Sequence, residues 1–184
     1  MITAPDRLLS LPEWVALPED RDRVYELQEG VLIAGPRPHL LHQSVVGQLA
    51  IVLYPQLPDG WDVVFGVEVV TEPGSPASVR VPDVVVHRDD VGEDAPHFLA
   101  EEVLIAIEVI AEGTRLTDTV IKPVEYARAG IPWYWVVDLG DPLSLVTYRL
   151  VDGRYQEAAT VTGMFETNEP FSLRVDVAAL ARRA

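Results

Sequence analysis

Two carboxylates within apolar segments are the side chains of this sequence best suited to chemistry. Glu108 lies in Val103–Ile110 (VLIAIEVI), a continuous apolar run that is typical of a strand buried on both faces. Asp83 lies in a second predicted strand, 81–86 (VPDVVV), in which Pro82 marks an edge or an irregular point. A buried carboxylate is costly unless it is paired or bound to a metal. If the strands are neighbours, both acids converge on one hard cation such as Mg²⁺, which prefers oxygen ligands.

Each of these acids also has a purely structural interpretation. Glu108 could stand at the end of its strand, facing solvent or paired with an arginine, and a Pro-Asp dipeptide such as Pro82-Asp83 often only begins a strand. Buried unpaired charge is rare in proteins. This favours a functional role for Glu108. Together with Glu108, Asp83 is a stronger candidate for such a role than it is alone.

A lysine and a third acid complete the set of candidate catalytic residues. Lys122 is the single lysine among fourteen cationic side chains, and a lysine can lose its proton whereas an arginine cannot. Its structural alternative is an i,i+4 ion pair with Asp118 on a helix surface. Glu26 lies between apolar neighbours in a predicted strand, where it either supports a metal site or is simply exposed.

Other familiar site signatures are weak or missing. His39 and His42 are three residues apart on a predicted helix, but no third nitrogen or sulfur ligand is near them in sequence. His42 is better suited to orienting a carboxylate or phosphate, or to a place on the surface. The chain has no phosphate-binding glycine loop, no G-x-S-x-G elbow and no dinucleotide fingerprint.

Composition limits the class of protein. The 184 residues include 29 acidic and 14 basic side chains, for a net charge of −15, and 48% are hydrophobic. The absence of cysteine excludes disulfides, thiolate zinc sites and a cysteine nucleophile. No apolar run approaches the roughly 20 residues that span a bilayer, and no signal peptide is evident. We expect one cytoplasmic domain, 1–184, with no membrane contact and no broad, charge-driven affinity for nucleic acid.

The elements that must position these residues follow from hydrophobic periodicity and turn signals. Strands outnumber helices, which predicts an α/β protein with a mixed β-sheet flanked by helices. The predicted helices cover 10–17, with a capping box from Ser10 to Glu13, then 39–53, a segment ending near Gly130, and 177–183. The predicted strands cover two parts of 24–34 joined at Glu29-Gly30, then 61–71, 79–87, 103–110, 133–138, 147–150 and 155–162.

The ordered set Asp83, Glu108 and a following lysine resembles the active site of the PD-(D/E)XK nuclease superfamily. More specifically, the chain resembles a branch of small bacterial proteins grouped with the restriction endonucleases. The matching stretches extend from about residue 10 to 150. They are Leu17-Pro-Glu-Asp20, Tyr25-Glu26-Leu27 with Gly30, Pro36 through His42 into Val46-Gly47, Val81-Pro82-Asp83, Glu108-Val109, Asp118 with Lys122, and Tyr126 through Gly130 to Tyr134-Trp135.

The resemblance implies a restriction-endonuclease-like fold and a role for each matching residue. In the superfamily the lysine stands two residues after the second acid, a place held here by Ile110, and Lys122 from the following helix matches the lysine of this branch. Glu26 matches an additional acidic position. Two features depart from the pattern: 111–114 (AEGT) replaces a Ser-Pro-Ser/Thr-like turn, bringing in Glu112, and Pro123 disfavours a helical conformation at Lys122.

The leading functional hypothesis is a Mg²⁺-dependent endonuclease that hydrolyses DNA phosphodiesters, with Mn²⁺ as a substitute metal. Asp83, Glu108 and the Val109 carbonyl would hold the ion, Lys122 would orient or activate a water, and Glu26 would support a second ion or hold Lys122. The residues expected to contact a weakly bound DNA are Arg37, His42 and Arg115, with Arg128 and Arg80 completing a local basic rim.

Two other hypotheses remain open at this stage. The fold could serve as a non-catalytic binding or assembly module, as Pro123 and Glu112 suggest, or as a phosphodiesterase for small nucleotides, which the negative surface permits. A homodimer would suit the cleavage of two strands and is the commonest soluble assembly.

Overall fold

A computed structural model describes residues 6–18, 20, 23–35, 38–92, 94–110 and 115–181. The helices are α1 (Leu11–Val15), α2 (Leu40–Leu53) and α3 (Lys122–Ala129). The strands are β1 (Val24–Gln28), β2 (Val31–Gly35), β3 (Trp61–Phe65), β4 (Val69–Glu72), β5 (Ser78–Arg80), β6 (Val84–Arg88), β7 (Phe98–Leu99), β8 (Val103–Ile110), β9 (Trp133–Asp138), β10 (Ser144–Val151), β11 (Arg154–Val161), β12 (Met164–Thr167) and β13 (Leu173–Asp176). Short 3-10 turns cover Tyr54–Gln56, Ala100–Glu102 and Val177–Ala179.

A six-stranded mixed sheet in the order β11-β10-β9-β8-β6-β3 forms the centre of the fold. Strand β8 pairs parallel with β9 and antiparallel with β6. Successive side chains of a strand point to opposite faces, and in β8 they divide between two hydrophobic clusters. Ile105, Ile107 and Val109 join the cluster that includes α2, whereas Ala106 and Ile110 join the cluster that includes α3. Glu108 therefore points to the α3 face.

The second sheet has five strands in the order β2-β1-β5-β4-β7, and β12 and β13 form a separate hairpin. The segments 61–71 and 79–87, predicted as single strands, are each divided between the two sheets. The first breaks after Gly66, which has φ +67°, and the second at Val81-Pro82-Asp83, because proline has no N–H to donate to a ladder. The prediction that Asp83 lies within a strand is therefore wrong: it lies in the bend before β6.

The helix that contains Lys122 continues past Pro123 without a break. Residues Thr117–Ile121 form one π-helical turn, in which the Lys122 N–H donates to the Thr117 carbonyl five residues back, and α3 follows directly. The wider turn relieves the clash of a proline ring with the carbonyl four residues earlier. Lys122 has φ −57° and ψ −41°, so the expectation that Pro123 disfavours a helical conformation there is wrong.

Most of the other predicted elements are confirmed. The mixed α/β sheet, the β1–β2 hairpin, α2, β8 and β9 agree with prediction to within a residue or two, and Glu13 caps α1 by accepting from the Ser10 N–H at 2.9 Å. Strands β7, β12 and β13 were not predicted. The predicted terminal helix is only a 3-10 turn over Val177–Ala179, and 182–184 lie outside the described residues. In the part of the chain that is described, no helix is long and apolar enough to cross a membrane.

Gly30 is a close-contact position at which a side chain should destabilise the fold. It has φ +79°, and an added Cβ would lie 2.7 Å from Leu8 Cβ and 2.8 Å from Pro76 Cβ. Left-handed strain of about 1–2 kcal/mol and overpacking of about 1–3 kcal/mol would add together. We expect Gly30→Ala to lower the free energy of unfolding, measured by urea denaturation, by about 2–5 kcal/mol.

The matched control is Gly153→Ala in the β10–β11 turn. Gly153 has φ +75°, but an added Cβ would have no neighbour within 4 Å. Only the backbone strain of about 1–2 kcal/mol should remain. Equal losses for the two variants would contradict the packing explanation.

Candidate active site

Glu108 and Lys122 form a buried ion pair at the centre of the site. Glu108 is 2% exposed, and its Oε1 accepts from Lys122 Nζ at 2.9 Å and from Tyr126 Oη at 2.8 Å. Lys122 and Tyr126 are four residues apart on α3, so both face the same carboxylate. Glu108 is thus neither turned to solvent nor paired with an arginine.

Lys122 contacts three carboxylates from separate elements. Besides Glu108, its Nζ lies 3.1 Å from Glu26 Oε1 on β1 and 3.4 Å from Asp118 Oδ1 in the π turn. Burial lowers the pKa of Lys122, but the negative charges of Glu108, Glu26 and Asp118 outweigh it and the pKa is raised. Lys122 therefore stays an ammonium ion at neutral pH and acts as a fixed positive charge, not as a proton acceptor. Its predicted i,i+4 pair with Asp118 exists, but it is buried.

For Glu108, in contrast to Lys122, the effect of burial on the pKa outweighs that of the opposite charge nearby. Burial raises the pKa of Glu108, Lys122 lowers it, and the neighbouring charges of Asp83, Asp118 and Glu26 raise it further, so that it lies well above the usual value. Burial is the largest cause, and Lys122, which is shared among several acids, offsets only part of it. A cation bound by this carboxylate would lower its pKa.

Asp83 reaches the end of β8 from the bend before β6. Its Oδ2 accepts from the Val109 N–H at 2.7 Å and lies 3.2 Å from His42 Nε2. The N–H and C=O of one strand residue point to the same side, so the Val109 carbonyl also faces Asp83 and His42. Burial lowers the pKa of His42, but the hydrogen bond and charge of Asp83 and the Val109 backbone raise it overall.

Arg80 links Glu26 on β1 to Glu125 on α3. It is 0% exposed; its Nε and Nη2 donate to Glu125 at 2.6 and 2.8 Å, and its Nη1 donates to Glu26 Oε2 at 2.9 Å. The expectation that Arg80 belongs to an exposed basic rim is therefore wrong. Burial raises the pKa of Glu26, but Lys122, Arg80 and the Val81 N–H lower it overall, so Glu26 is ionised.

The predicted substrate-binding residues have different surroundings. Arg115 is exposed and donates twice to Asp138, at 2.7 and 3.1 Å, so its guanidinium is already engaged. His42 is 5% exposed and contacts Asp83 beneath the surface. Arg128 is exposed in the last turn of α3. Arg37 lies outside the described residues, as does Glu112 within 111–114.

The acids present an oxygen donor set that fits a hard cation. Within the described residues, the hydrogen bonds and ion pairs of Asp83 use Oδ2 and those of Glu108 use Oε1. The second oxygen of each carboxylate is outside these contacts, and the Val109 carbonyl faces Asp83. Within the described ranges, no group of three or more His, Cys, Asp or Glu is placed so that it could hold a metal ion, so the candidate ligands are two acids and one backbone carbonyl. Mg²⁺ commonly binds through one or two carboxylates and completes its shell with water and phosphate, so the set fits Mg²⁺.

Charge balance also favours a cation at this site. Four acids contact two permanent cations and a fifth contacts His42, which leaves 2 − 5 = −3 when all the acids are ionised and His42 is neutral. Such an excess of negative charge in a largely desolvated cluster is unfavourable. A divalent ion would reduce it. The five acids are Glu26, Asp83, Glu108, Asp118 and Glu125, and the cations are Lys122 and Arg80.

Comparison with known proteins identifies the family. The model of the family described as "Uma2: Putative restriction endonuclease" matches residues 11–180. The chain belongs to the Uma2 family. A crystal structure described as that of a putative nuclease belonging to DUF820, from Anabaena variabilis, matches with a TM-score of 0.74 and 19% sequence identity, over 94% of this chain and 97% of that chain. At this identity the match shows the fold, and it confirms the restriction-endonuclease-like α/β architecture. A search of curated proteins gives no match.

These findings confirm the resemblance to the PD-(D/E)XK nuclease superfamily and support a nuclease-like protein. They also show which residues of this Uma2 chain the sequence patterns missed. Tyr126 and Glu125 had no assigned role, although each is within four residues of Lys122 on the helix and contacts an acid or cation of the site. Helical spacing from Lys122 was the signal that could have found them.

Arg80 should be far more important for stability than its exposed counterpart Arg88. Arg80→Met leaves Glu26 and Glu125 without their buried partner, and removing one member of a buried ion pair costs about 3–5 kcal/mol. We expect a loss of this size in the free energy of unfolding, measured by chemical denaturation. Arg88 pairs with Asp90 in solvent, so Arg88→Met should leave the unfolding midpoint nearly unchanged. Similar changes in both variants would refute the burial argument.

Replacing Glu108 should change how stability depends on pH in metal-free buffer. The pKa of Glu108 in the folded state is raised above its ordinary value of 4.5, so its contribution to stability is fully present below that value and is lost as the pH rises through the folded pKa. Glutamine does not titrate. We expect the melting temperature of Glu108→Gln minus that of wild type to increase from about pH 5 to pH 8. A difference that falls with pH would contradict the assignment.

Proposed function

We propose that this protein is a Mg²⁺-dependent endonuclease that hydrolyses phosphodiester bonds in DNA, with Mn²⁺ as a substitute metal. The observation that carries the proposal is the meeting of two acids and a lysine at the end of β8: Asp83 accepts from the Val109 N–H, and Glu108 accepts from Lys122. Membership of a family described as putative restriction endonucleases supports the class of reaction.

Each residue of the site has a distinct part in the proposed reaction. Asp83, Glu108 and the Val109 carbonyl would hold Mg²⁺, which when bound polarises a phosphate and lowers the pKa of a coordinated water. The Lys122 ammonium would offset negative charge that develops on the phosphate oxygens. Glu26, 3.1 Å from Lys122 Nζ, keeps that charge in place.

The contacts of Lys122 set a condition on this mechanism. A lysine has three N–H donors, and three carboxylates surround Lys122 at 2.9, 3.1 and 3.4 Å. To reach a phosphate oxygen, the ammonium must exchange one of them, and the longest contact, to Asp118, is the weakest. Binding of a cation by Glu108 would loosen a second contact.

DNA binding by such a protein depends on local contacts. The net charge of −15 opposes long-range attraction of a polyanion. Arg128 is exposed in the last turn of α3, and Arg115 would have to release Asp138 before it could contact a phosphate. Binding through so few phosphate contacts is weak and falls as salt rises.

A second candidate is a non-catalytic binding or assembly module that keeps the nuclease fold. The observation that favours it is again Lys122, whose ammonium is surrounded by three carboxylates of the fold itself. In that case the buried cluster serves stability alone. The module would bind its partner without any turnover.

The test is cleavage of supercoiled plasmid and of labelled single- and double-stranded oligonucleotides with Mg²⁺ or Mn²⁺. We expect wild type to cleave, and Asp83→Asn and Glu108→Gln to lose about 10²–10³-fold in rate, as when one preorganised electrostatic contact is removed. Asp62→Asn is the matched control, because Asp62 also accepts a backbone N–H, from Val63 at 2.7 Å, but lies on edge strand β3; it should leave the rate unchanged.

The other outcomes separate the alternatives. Cleavage by Asp83→Asn at the wild-type rate would refute the proposed site. Turnover of a small phosphodiester with no nicking of DNA would point to a small-nucleotide phosphodiesterase. Binding of Mg²⁺ or DNA with no turnover of either substrate would favour the non-catalytic module.

A further inference from the structure

In each of the two acids proposed to bind the metal, Asp83 and Glu108, one carboxylate oxygen contacts two hydrogen-bond donors. For Asp83 this oxygen is Oδ2, which accepts from the Val109 N–H at 2.7 Å and lies 3.2 Å from His42 Nε2. A carboxylate oxygen only accepts, so His42 carries a proton on Nε2. His42 comes from the first turn of α2 and is 5% exposed.

Glu108 is held in the same way from the opposite face of the sheet. Its Oε1 accepts from Lys122 Nζ at 2.9 Å and from Tyr126 Oη at 2.8 Å. Tyr126 is 0% exposed, and its ring is 5.5 Å from that of Tyr134, which limits its movement. Within the described residues, none of these contacts involves Asp83 Oδ1 or Glu108 Oε2.

This pattern determines how many oxygens each acid can offer to a cation. An oxygen that already accepts two hydrogen bonds has little lone-pair density left, so a metal would be bound through the second oxygen alone. Ca²⁺ tolerates six to eight ligands and often takes both oxygens of a carboxylate, whereas Mg²⁺ demands a compact octahedron with single-oxygen ligands. Restraining each acid to one oxygen therefore favours the smaller ion.

We propose that His42 and Tyr126 are positioning residues that hold Asp83 and Glu108 as one-oxygen ligands and thereby make the site select Mg²⁺ over Ca²⁺. The inference rests on the proposed metal site and adds the residues that determine its selectivity. His42 acts from α2 and Tyr126 from α3, so the two helices clamp the acids from both faces of the sheet. Neither residue would itself be a ligand of the cation.

The test is calorimetric titration of Mg²⁺ and of Ca²⁺ into the full chain and its variants. Tyr126→Phe removes one donor from Glu108, and we expect it to weaken Mg²⁺ binding about tenfold, as loss of a ligand-orienting hydrogen bond does, and Ca²⁺ binding by less than about twofold. Tyr155→Phe is the matched control: Tyr155 belongs to the same group of stacked tyrosines, but its hydroxyl donates to the Ile131 carbonyl at 2.8 Å. It should leave both affinities unchanged.

A second pair of variants tests the other half of the clamp. His42→Leu removes the donor to Asp83 and should lower the ratio of Mg²⁺ to Ca²⁺ affinity, whereas His42→Gln offers an amide N–H near the position of Nε2 and should restore it. This rescue distinguishes positioning from simple packing. Thermal unfolding of each variant confirms that it is folded at the titration temperature, and if Tyr126→Phe is not, the His42 pair decides.

Three results would overturn the inference. One is that both affinities are unchanged in Tyr126→Phe and in His42→Leu, and another is equal weakening of Mg²⁺ and Ca²⁺, which indicates general damage to the site. In either case, metal binding by wild type leaves the proposed function intact. Failure of wild type to bind either ion would overturn the metal-dependent function and the inference together.

Discussion

The buried Lys122 ammonium is the contact on which the arrangement of the site depends. It joins Glu108 on the central strand β8, Glu26 on β1 of the other sheet and Asp118 in the preceding turn. A buried charge is tolerated only when its hydrogen bonds are satisfied, so the two sheets and α3 must meet with these three carboxylates around one nitrogen. The position of the helix relative to the strands is thereby restricted by an electrostatic requirement as well as by apolar packing.

Arg80 extends this restriction to the rest of the cluster. Its planar guanidinium binds both oxygens of Glu125 and one oxygen of Glu26, a geometry that a lysine could not reproduce. The two cations still leave the cluster with more negative than positive charge. Proteins accept such local destabilisation mainly at functional sites, and the raised pKa of Glu108, caused by burial and by its acidic neighbours, is its clearest sign.

Backbone irregularities position Asp83 and Lys122 in the site. The chain leaves one sheet and enters the other at Val81-Pro82-Asp83, which puts Asp83 in a bend where its carboxylate caps the Val109 N–H. The π turn before α3 lets the helix continue past Pro123 and brings Lys122 and Tyr126 to the same oxygen of Glu108. Irregular turns of this kind are frequent at functional sites.

Local patterns were sufficient to predict the elements whose residues interact with near neighbours in the chain. The apolar run of β8, the helical periodicity of α2 and the Glu29-Gly30 turn are of this kind. The apolar surroundings of Asp83 and Glu108 and the single lysine, Lys122, indicated the candidate residues, which the family resemblance grouped into one site. The partners within the site could not be inferred in this way. Arg80 was expected on the surface because its burial depends on Glu125, 45 residues away, and Asp83 was expected in a strand because the change of sheet at Pro82 is a long-range event. Residue types and spacing therefore indicate which groups can do chemistry, whereas the desolvation, charge and hydrogen bonding of those groups arise only when distant segments pack together.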